Sequence, residues 1–278
     1  MKAALLLTAA LISPAAQAQT PTSSGVYHLT ACLDSHYGAG NWTPRTGIGV
    51  GTDIGPALSD CVTAIRNTTG RGRIYIDPGI WLLTTSPPTF TGIQLEGYGS
   101  QASVVVYNSG AGVAFRYIAA SPCFTGGGMR GIGILLESGF GNSAAYAIEL
   151  KGNSVCQPDQ TVWEDLYISA VGRASYWWDI FHLDGTARTA PQGVRVGSMH
   201  NIQLFKAHHT GLYMANAVQW DLVNVGIYTG IGTGNDVWLY GAGTRSTNSA
   251  HINAIGLNYA GKLHLACSDG HVNYTSVC

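Results

Sequence analysis

The chain is poor in charge. Asp, Glu, Lys and Arg make up 10% of its 278 residues, with a net charge of −1, where about a quarter is ordinary. Nothing in that balance suits nucleic acid or an anionic membrane surface. Beyond the first residues, apolar runs break every few positions at Gly, Asn or Asp, so no later membrane span is expected. No Cys-x-x-Cys pair or Cys/His cluster offers a zinc site. His208-His209 lie together in a turn, where two adjacent histidines seldom share a metal. Glu164, Asp165 and Asp159 lack an Asp-x-Asp-x-Asp-Gly loop for calcium. Phosphate-binding glycine loops and Ser-His-Asp elbows are missing as well. No cofactor or metal is expected.

What is present begins with an export signal. Lys2 is followed by an apolar run from Ala3 to Ile12 and then by Ala16-Gln17-Ala18. A basic start, an apolar core too short to span a bilayer and a small-x-small site read as a secretory signal over residues 1–18. The secreted or periplasmic chain would start at Gln19, with 13 basic against 15 acidic residues once Lys2 is gone. It divides into an N-terminal arm over 19–50 and one domain over 51–278. The 37 glycines and low charge could suggest disorder, but 46% hydrophobic residues argue for a packed, strand-rich core.

Two series of apolar-x-apolar units alternate along that domain. One is Val113-Ala-Phe115, Ile148-Glu-Leu150, Phe181-His-Leu183, Leu212-Tyr-Met214, Val237-Trp-Leu239 and Leu263-His-Leu265. The other is Ile93-Gln-Leu95, Ile132-Gly-Ile134, Leu166-Tyr-Ile168, Ile202-Gln-Leu204, Val225-Gly-Ile227 and Ile255-Gly-Leu257. Each unit has the period of a strand, so its outer residues face one way and its middle residue the other. Units too short to bury a face alone can stack and share a core. The steps run from 23 to 39 residues, which implies an all-β solenoid with loops of variable length and a third, less regular strand per coil. Residues 53–66 have helical spacing at Ile54, Leu58, Cys61 and Ile65, with Asp53 as the expected N-cap. Such a helix would close the open end of the first coil.

The segments YGAG (Tyr37–Gly40), TDIGPALSDCVTAI from Thr52, GRGRIYIDPGIWLLT (Gly70–Thr84) and TGIQLEGYGS (Thr91–Ser100) resemble the N-terminal part of pectate-lyase-superfamily proteins. That group includes glucanase-like enzymes and phage tailspike depolymerases. The resemblance covers roughly residues 37–107. It implies a single-stranded right-handed parallel β-helix, and its tailspike members would make a homotrimer one arrangement to consider. The second acid of the family's Thr-Asp-Asp segment is Ile54 here. The WIDH-like and RxPxxR-like segments of calcium-dependent pectate lyases are absent, as are the polygalacturonase NTD, DD, GHG and RIK signatures. Those two activities are therefore not expected.

Stacking would set the middle residues of the first series in an outward ladder: Ala114, Glu149, His182, Tyr213, Trp238 and His264. Beside it would run Arg116, Lys151, Asp184, Ala215, Tyr240 and Ala266. Carboxylates, a histidine and aromatic rings together are the chemistry of a sugar groove. The expected partner is a polysaccharide, the expected activity that of a glycoside hydrolase or lyase, and the rival reading a non-catalytic glycan-binding or fibre-like β-helix. Glu149 and Asp184 would stand about 8 Å apart on a diagonal, inside the ~6.5–9.5 Å span of an inverting glycosidase, with His182 between them. Lys151 over Asp184 equally suits a surface ionic ladder. Tyr213, Trp238, Tyr240, Lys151, Trp177 and Trp178 are the expected substrate contacts.

All six cysteines lie beyond residue 18, and six allow fifteen pairings. Cys123 and Cys156 occupy similar loop positions on neighbouring coils. Cys61 on the capping helix could tie down Cys32 in the arm. Cys267 with Cys278 would then fasten a C-terminal tail over 267–278.

Overall fold

The computed structural model describes residues 25–119, 123–140, 145–153, 155–156, 158–172, 174–185, 194–215, 217–228, 235–240, 251–257 and 263–266. The expected signal at 1–18 and the Cys267–Cys278 pair lie outside these residues.

Every strand pairing between named strands is parallel. The strands form three faces wound around one core. Face 1 stacks Val26–His28, Gly72–Ile76, Ile93–Gly97 and Gly128–Arg130, then the leading halves of Thr161–Ala170, Val194–Phe205, Ala217–Tyr228 and His251–Leu257. Face 2 stacks Gly79–Leu83, Ser103–Tyr107, Gly133–Leu136 and the trailing halves of the same four long strands. Face 3 stacks Gly112–Ile118, Ala145–Lys151, Trp177–Asp184, Ala207–Ala215, Asn235–Tyr240 and Leu263–Ala266. The chain visits the faces in the order 1, 2, 3 and then returns to face 1 one coil on. The fold is a right-handed parallel β-helix.

The core follows from the period-two pattern. On face 3, Phe115, Ile148, Phe181 and Leu212 lie in one register and are buried. On face 2, Trp81, Val105, Ile134, Ile168, Leu204 and Ile227 do the same. No strand pair could hide these side chains alone; stacked about 4.8 Å apart they make one continuous cluster.

Two alignments differ from the sequence reading. Ile93-Gln-Leu95 belongs to face 1, where Leu95 pairs with Met129, while Ile134 pairs with Val105 on face 2. On face 3, Glu149 pairs with Arg116 and not with Ala114. Apolar residues alternate through Val113, Phe115 and Tyr117, so sliding this strand by two residues keeps every apolar residue inward. Period-two patterning specifies the face and leaves such a slip open.

Between faces 1 and 2 the chain turns a corner through the left-handed region. Asp165, Asn201 and Asn224 occupy equivalent positions at φ 53°, 55° and 54°, and Gly131 precedes them at φ 64°. The Asn201 amide donates to Asp165 Oδ1 at 3.2 Å, and the Asn224 amide donates to Asn201 Oδ1 at 2.8 Å. Short Asx side chains tolerate this conformation and bond locally, and stacking aligns them into a ladder. Asn201→Ala forfeits both bonds and forces a Cβ-bearing residue without compensation into the left-handed region. A loss of about 2–3 kcal/mol is expected in urea unfolding, with Asn201→Gly losing less. A cost for Asn201→Ala below about 0.5 kcal/mol, the level of an indifferent surface change, would contradict a structural role for the ladder.

The N-terminal end carries two helices, where one had been expected. α1 spans Leu29–Tyr37 within the arm and α2 spans Gly55–Thr68, close to the expected 53–66. Their apolar sides, including Leu33, Leu58, Val62 and Ile65, join the common core, so the pair plugs the first coil. Asp53 is not the N-cap; Ile54 holds that position. The Asp53 carboxylate instead accepts from the backbone amides of Gly55, Thr84 and Thr85 at 2.9–3.0 Å. It ties the start of α2 to the end of the first face 2 strand. Cys32–Cys61 links the two helices with Cα atoms 5.9 Å apart, and Cys123–Cys156 joins adjacent loops at 5.3 Å. Both pairs are those read from the sequence. With Val113 opposite Tyr146, each cysteine of the second pair follows its register partner by ten residues.

Candidate functional site

Face 3 presents the column Arg116, Glu149, His182, Tyr213, Trp238 and His264 in backbone register. The neighbouring column reads Ile118, Lys151, Asp184, Ala215, Tyr240 and Ala266. From the second coil onward these are the ladders the sequence implied. Trp238 and Tyr240 are placed by backbone register alone, as their side chains lie outside what the structure describes.

The two carboxylates picked from the sequence each face a cation. Glu149 Oε2 stands 3.8 Å from Arg116 Nε, and Asp184 Oδ2 stands 3.7 Å from Lys151 Nζ. The ionic-ladder reading fits this pair better. Trp177 is fully buried, with its indole N–H donating to the Ser169 carbonyl at 2.7 Å. It stacks on Tyr107 at 5.9 Å and fills the core, so it offers no face to a sugar. Trp178, its neighbour, lies half-buried on the outside.

A different group of side chains converges beside His182. The strand register shifts between Trp177 and Asp179, and the chain there places Asp179 opposite Tyr146 and Thr210. Asp179 is 1% exposed. Its Oδ2 lies 2.7 Å from His182 Nδ1 and its Oδ1 lies 2.7 Å from His209 Nδ1. One buried carboxylate thus grips two imidazoles from adjacent coils by the same ring nitrogen.

The electrostatics follow. Burial pushes the Asp179 carboxyl up, but the hydrogen bonds from His182 and His209, with their charge, outweigh it and hold the carboxyl below its ordinary range. Asp179 is therefore an anion at neutral pH and can only accept, so both Nδ1 atoms donate. The bond to Asp179 raises the His209 pKa, against the opposing effect of burial. His182 turns its other nitrogen, Nε2, away from Asp179. The rings are sandwiched: His182 stacks on Tyr213 at 4.5 Å and 4° and meets Tyr146 edge-on at 5.0 Å. Trp178 stacks on His209 at 4.9 Å and 7°. Burial, and then the charges of Asp179 and Glu149, raise the Tyr146 pKa and keep its phenol protonated.

The sequence had shown the pieces separately. Trp178, beside Asp179, stood among the expected substrate contacts, and His208-His209 as an adjacent pair thirty residues on. One hint was available: Asp179 interrupts the apolar run Trp177-Trp178 to Ile180-Phe181 and precedes His182 by three. Among the described residues no group of three His, Cys, Asp or Glu side chains is arranged to hold a metal ion. No described helix is long and apolar enough to cross a membrane.

No protein-family model and no curated protein matches the chain. Among solved structures it is similar to the ORF18 product of Geobacillus virus E2, at 11% identity and a TM-score of 0.32, over 84% of this chain and 60% of that one. The catalytic unit of an α-1,3-glucanase from Streptomyces thermodiastaticus shares 14% identity at a TM-score of 0.33, over 86% of this chain and 46% of that one. The A-module of a mannuronan C-5 epimerase from Azotobacter vinelandii shares 11% at 0.29, over 87% of this chain and all of that one. The chain thus spans 60% and 46% of the first two. Likenesses this weak carry no argument about this chain, and the fold and every residue role rest on its own geometry.

Proposed function

We propose that the protein cleaves glycosidic linkages of an extracellular polysaccharide along face 3, by acid–base chemistry centred on His182 and Tyr146. The observation that carries this reading is the grip of buried Asp179 on Nδ1 of His182. An imidazole fixed in that tautomer keeps its Nε2 lone pair to take a proton from the attacking water, or from the sugar carbon beside the linkage in an elimination. The protonated Tyr146 phenol, its ring 5.0 Å away, gives its proton to the departing glycosidic oxygen. Tyr213 and Trp178, half-buried on this face and stacked on His182 and on His208 and His209, add the aromatic rings that accompany bound pyranose units. Two disulfides suit an oxidising compartment outside the cytosol.

The non-catalytic reading draws on Glu149 and Asp184, whose cation partners make the same face a polar docking strip. A panel of extracellular polysaccharides separates the two. Catalysis predicts new reducing ends from at least one polymer, with ultraviolet-absorbing unsaturated ends as well if the step is an elimination. His182→Ala is expected to lower kcat by about 10²–10⁴-fold, with binding largely kept. Retention on a polymer column without any reducing ends would replace cleavage by binding alone.

A further inference from the structure

Face 1 carries a separate hollow of about 220 Å³, lined by Arg73, Gln94, Glu96, Arg130 and Val162. Gln94, Gly128 and Val162 share one register column. Gly128 is held in close backbone contact with the next strand: it has φ 128°, and a Cβ would lie 2.0 Å from the Val162 carbonyl oxygen. The Gln94 carboxamide lines the hollow beside it. Turned with its nitrogen to the Gly127 carbonyl and its oxygen to the Met129 amide, it makes two 3.2 Å bonds and forms a polar floor.

The walls are paired with neighbouring side chains. Arg73 is 3.1 Å from Glu96 and donates to the Tyr75 hydroxyl at 3.1 Å, with its guanidinium 5.8 Å from that ring. Arg130 is paired with Glu164. Val162, at 40% exposure, supplies one apolar side. Fixed donors and acceptors beside a small apolar wall match a sugar, whose hydroxyls need both and whose C–H face needs the third. Two guanidinium groups are met by two carboxylates, so the frame is balanced and an anionic unit gains no net attraction. The volume is below the ~300–1,000 Å³ of drug-sized sites, which sets the occupant at a single ring.

We infer that this hollow is a second saccharide subsite, holding one neutral pyranose unit on the side of the coil away from the chemistry. Taking a saccharide as the ligand rests on the proposed function; the hollow and its lining do not. A polymer engaged at both faces would be held by the product of two weak contacts at a high effective concentration.

The test is amide and methyl NMR of the full chain, titrated with methyl α-glucopyranoside, α-galactopyranoside, α-mannopyranoside and, in a parallel arm, methyl glucuronide. At least one neutral sugar is expected to give saturable shifts at the Gly128 amide and the Val162 methyls, with Kd on the order of 1–10 mM. Val162→Trp should abolish the Gly128 shift while the remaining spectrum stays native. Glu96→Gln, nearly identical in shape, should weaken binding about tenfold. His182→Ala should leave these shifts unchanged, so failure of the cleavage reading and failure of the subsite are read separately. Absence of any saturable shift, a shift that survives Val162→Trp, or tighter binding of the glucuronide would each overturn the assignment.

Discussion

Asp179→Asn is expected to lower kcat by about 10²–10⁴-fold on any polymer the wild type cleaves, with KM little altered. The reason lies in the tautomers. A carboxylate oxygen can accept only, so it fixes both histidines with Nδ1 protonated. An amide also presents N–H donors, and one histidine facing them must move its proton to Nε2. With the amide nitrogen set toward His182, that histidine loses its Nε2 lone pair; with it set toward His209, the Asp179 charge that holds His182 is still gone. Asp179 touches no substrate in this account; it is a positioning residue. Its effect should therefore appear in kcat and in the pH profile, with glycan binding retained. An Asp179→Asn enzyme within threefold of wild type at all pH values would remove the imidazole from the chemistry.

The same group makes a stability prediction. The folded-state pKa of Asp179 is lowered, so its contribution is present above the unfolded value of about 3.9 and is lost as pH falls through the folded value. The folded-state pKa of His209 is raised. Its contribution is complete below about 6.5 and is lost as pH rises through the raised value. Both operate between roughly pH 4 and 6.5. The gap between wild type and Asp179→Asn in urea unfolding should be widest there and should narrow on the alkaline side. A gap that stays constant from pH 5 to 9 would contradict the linkage.

The second large effect concerns the arm. Glu137 is fully buried, and Arg45 reaches it from 92 residues earlier, with Nη2 2.8 Å from Oε1 and Nε 3.0 Å from Oε2. The amides of Gly49 and Ser138 donate to the same carboxylate. Burial pushes this carboxyl up, but Arg45 and the two amides outweigh it and hold the group charged. Arg45→Ala leaves an uncompensated buried charge and is expected to cost about 3–5 kcal/mol in urea unfolding. Combining it with Glu137→Leu removes the stranded charge and should recover most of the loss. An Arg45→Ala cost below about 1 kcal/mol, or a double variant no better than the single, would show that the arm is held by other contacts.

How much of this could be read in advance depended on the range of the physical signal. The alternation in Ile148-Glu-Leu150 or Leu212-Tyr-Met214 reports which side chains face inward, because successive side chains of a strand point to opposite faces. From the second coil on it also placed Glu149, His182 and Tyr213 in one column. It failed at the first coil, where Val113 to Tyr117 is apolar for longer than the repeat and two registers bury the same residues. The corner ladder of Asp165, Asn201 and Asn224 shows in the sequence only as an Asx residue before three of the six apolar units of that series. The ladder depends on a left-handed φ, which a local pattern does not display.

The sequence by itself determined the solenoid and the helix that plugs its end, since both follow from periodicity along the chain; it suggested the two described disulfides among fifteen possible pairings, and the structure decided them. Only the tertiary structure decided the site. It paired Glu149 and Asp184 with cations and turned Trp177 inward. It also brought Asp179, His182 and His209 to one point from two coils and across a register shift. A carboxylate's partners are set by distances of a few ångströms in space, and neither strand's own alternation carries that information.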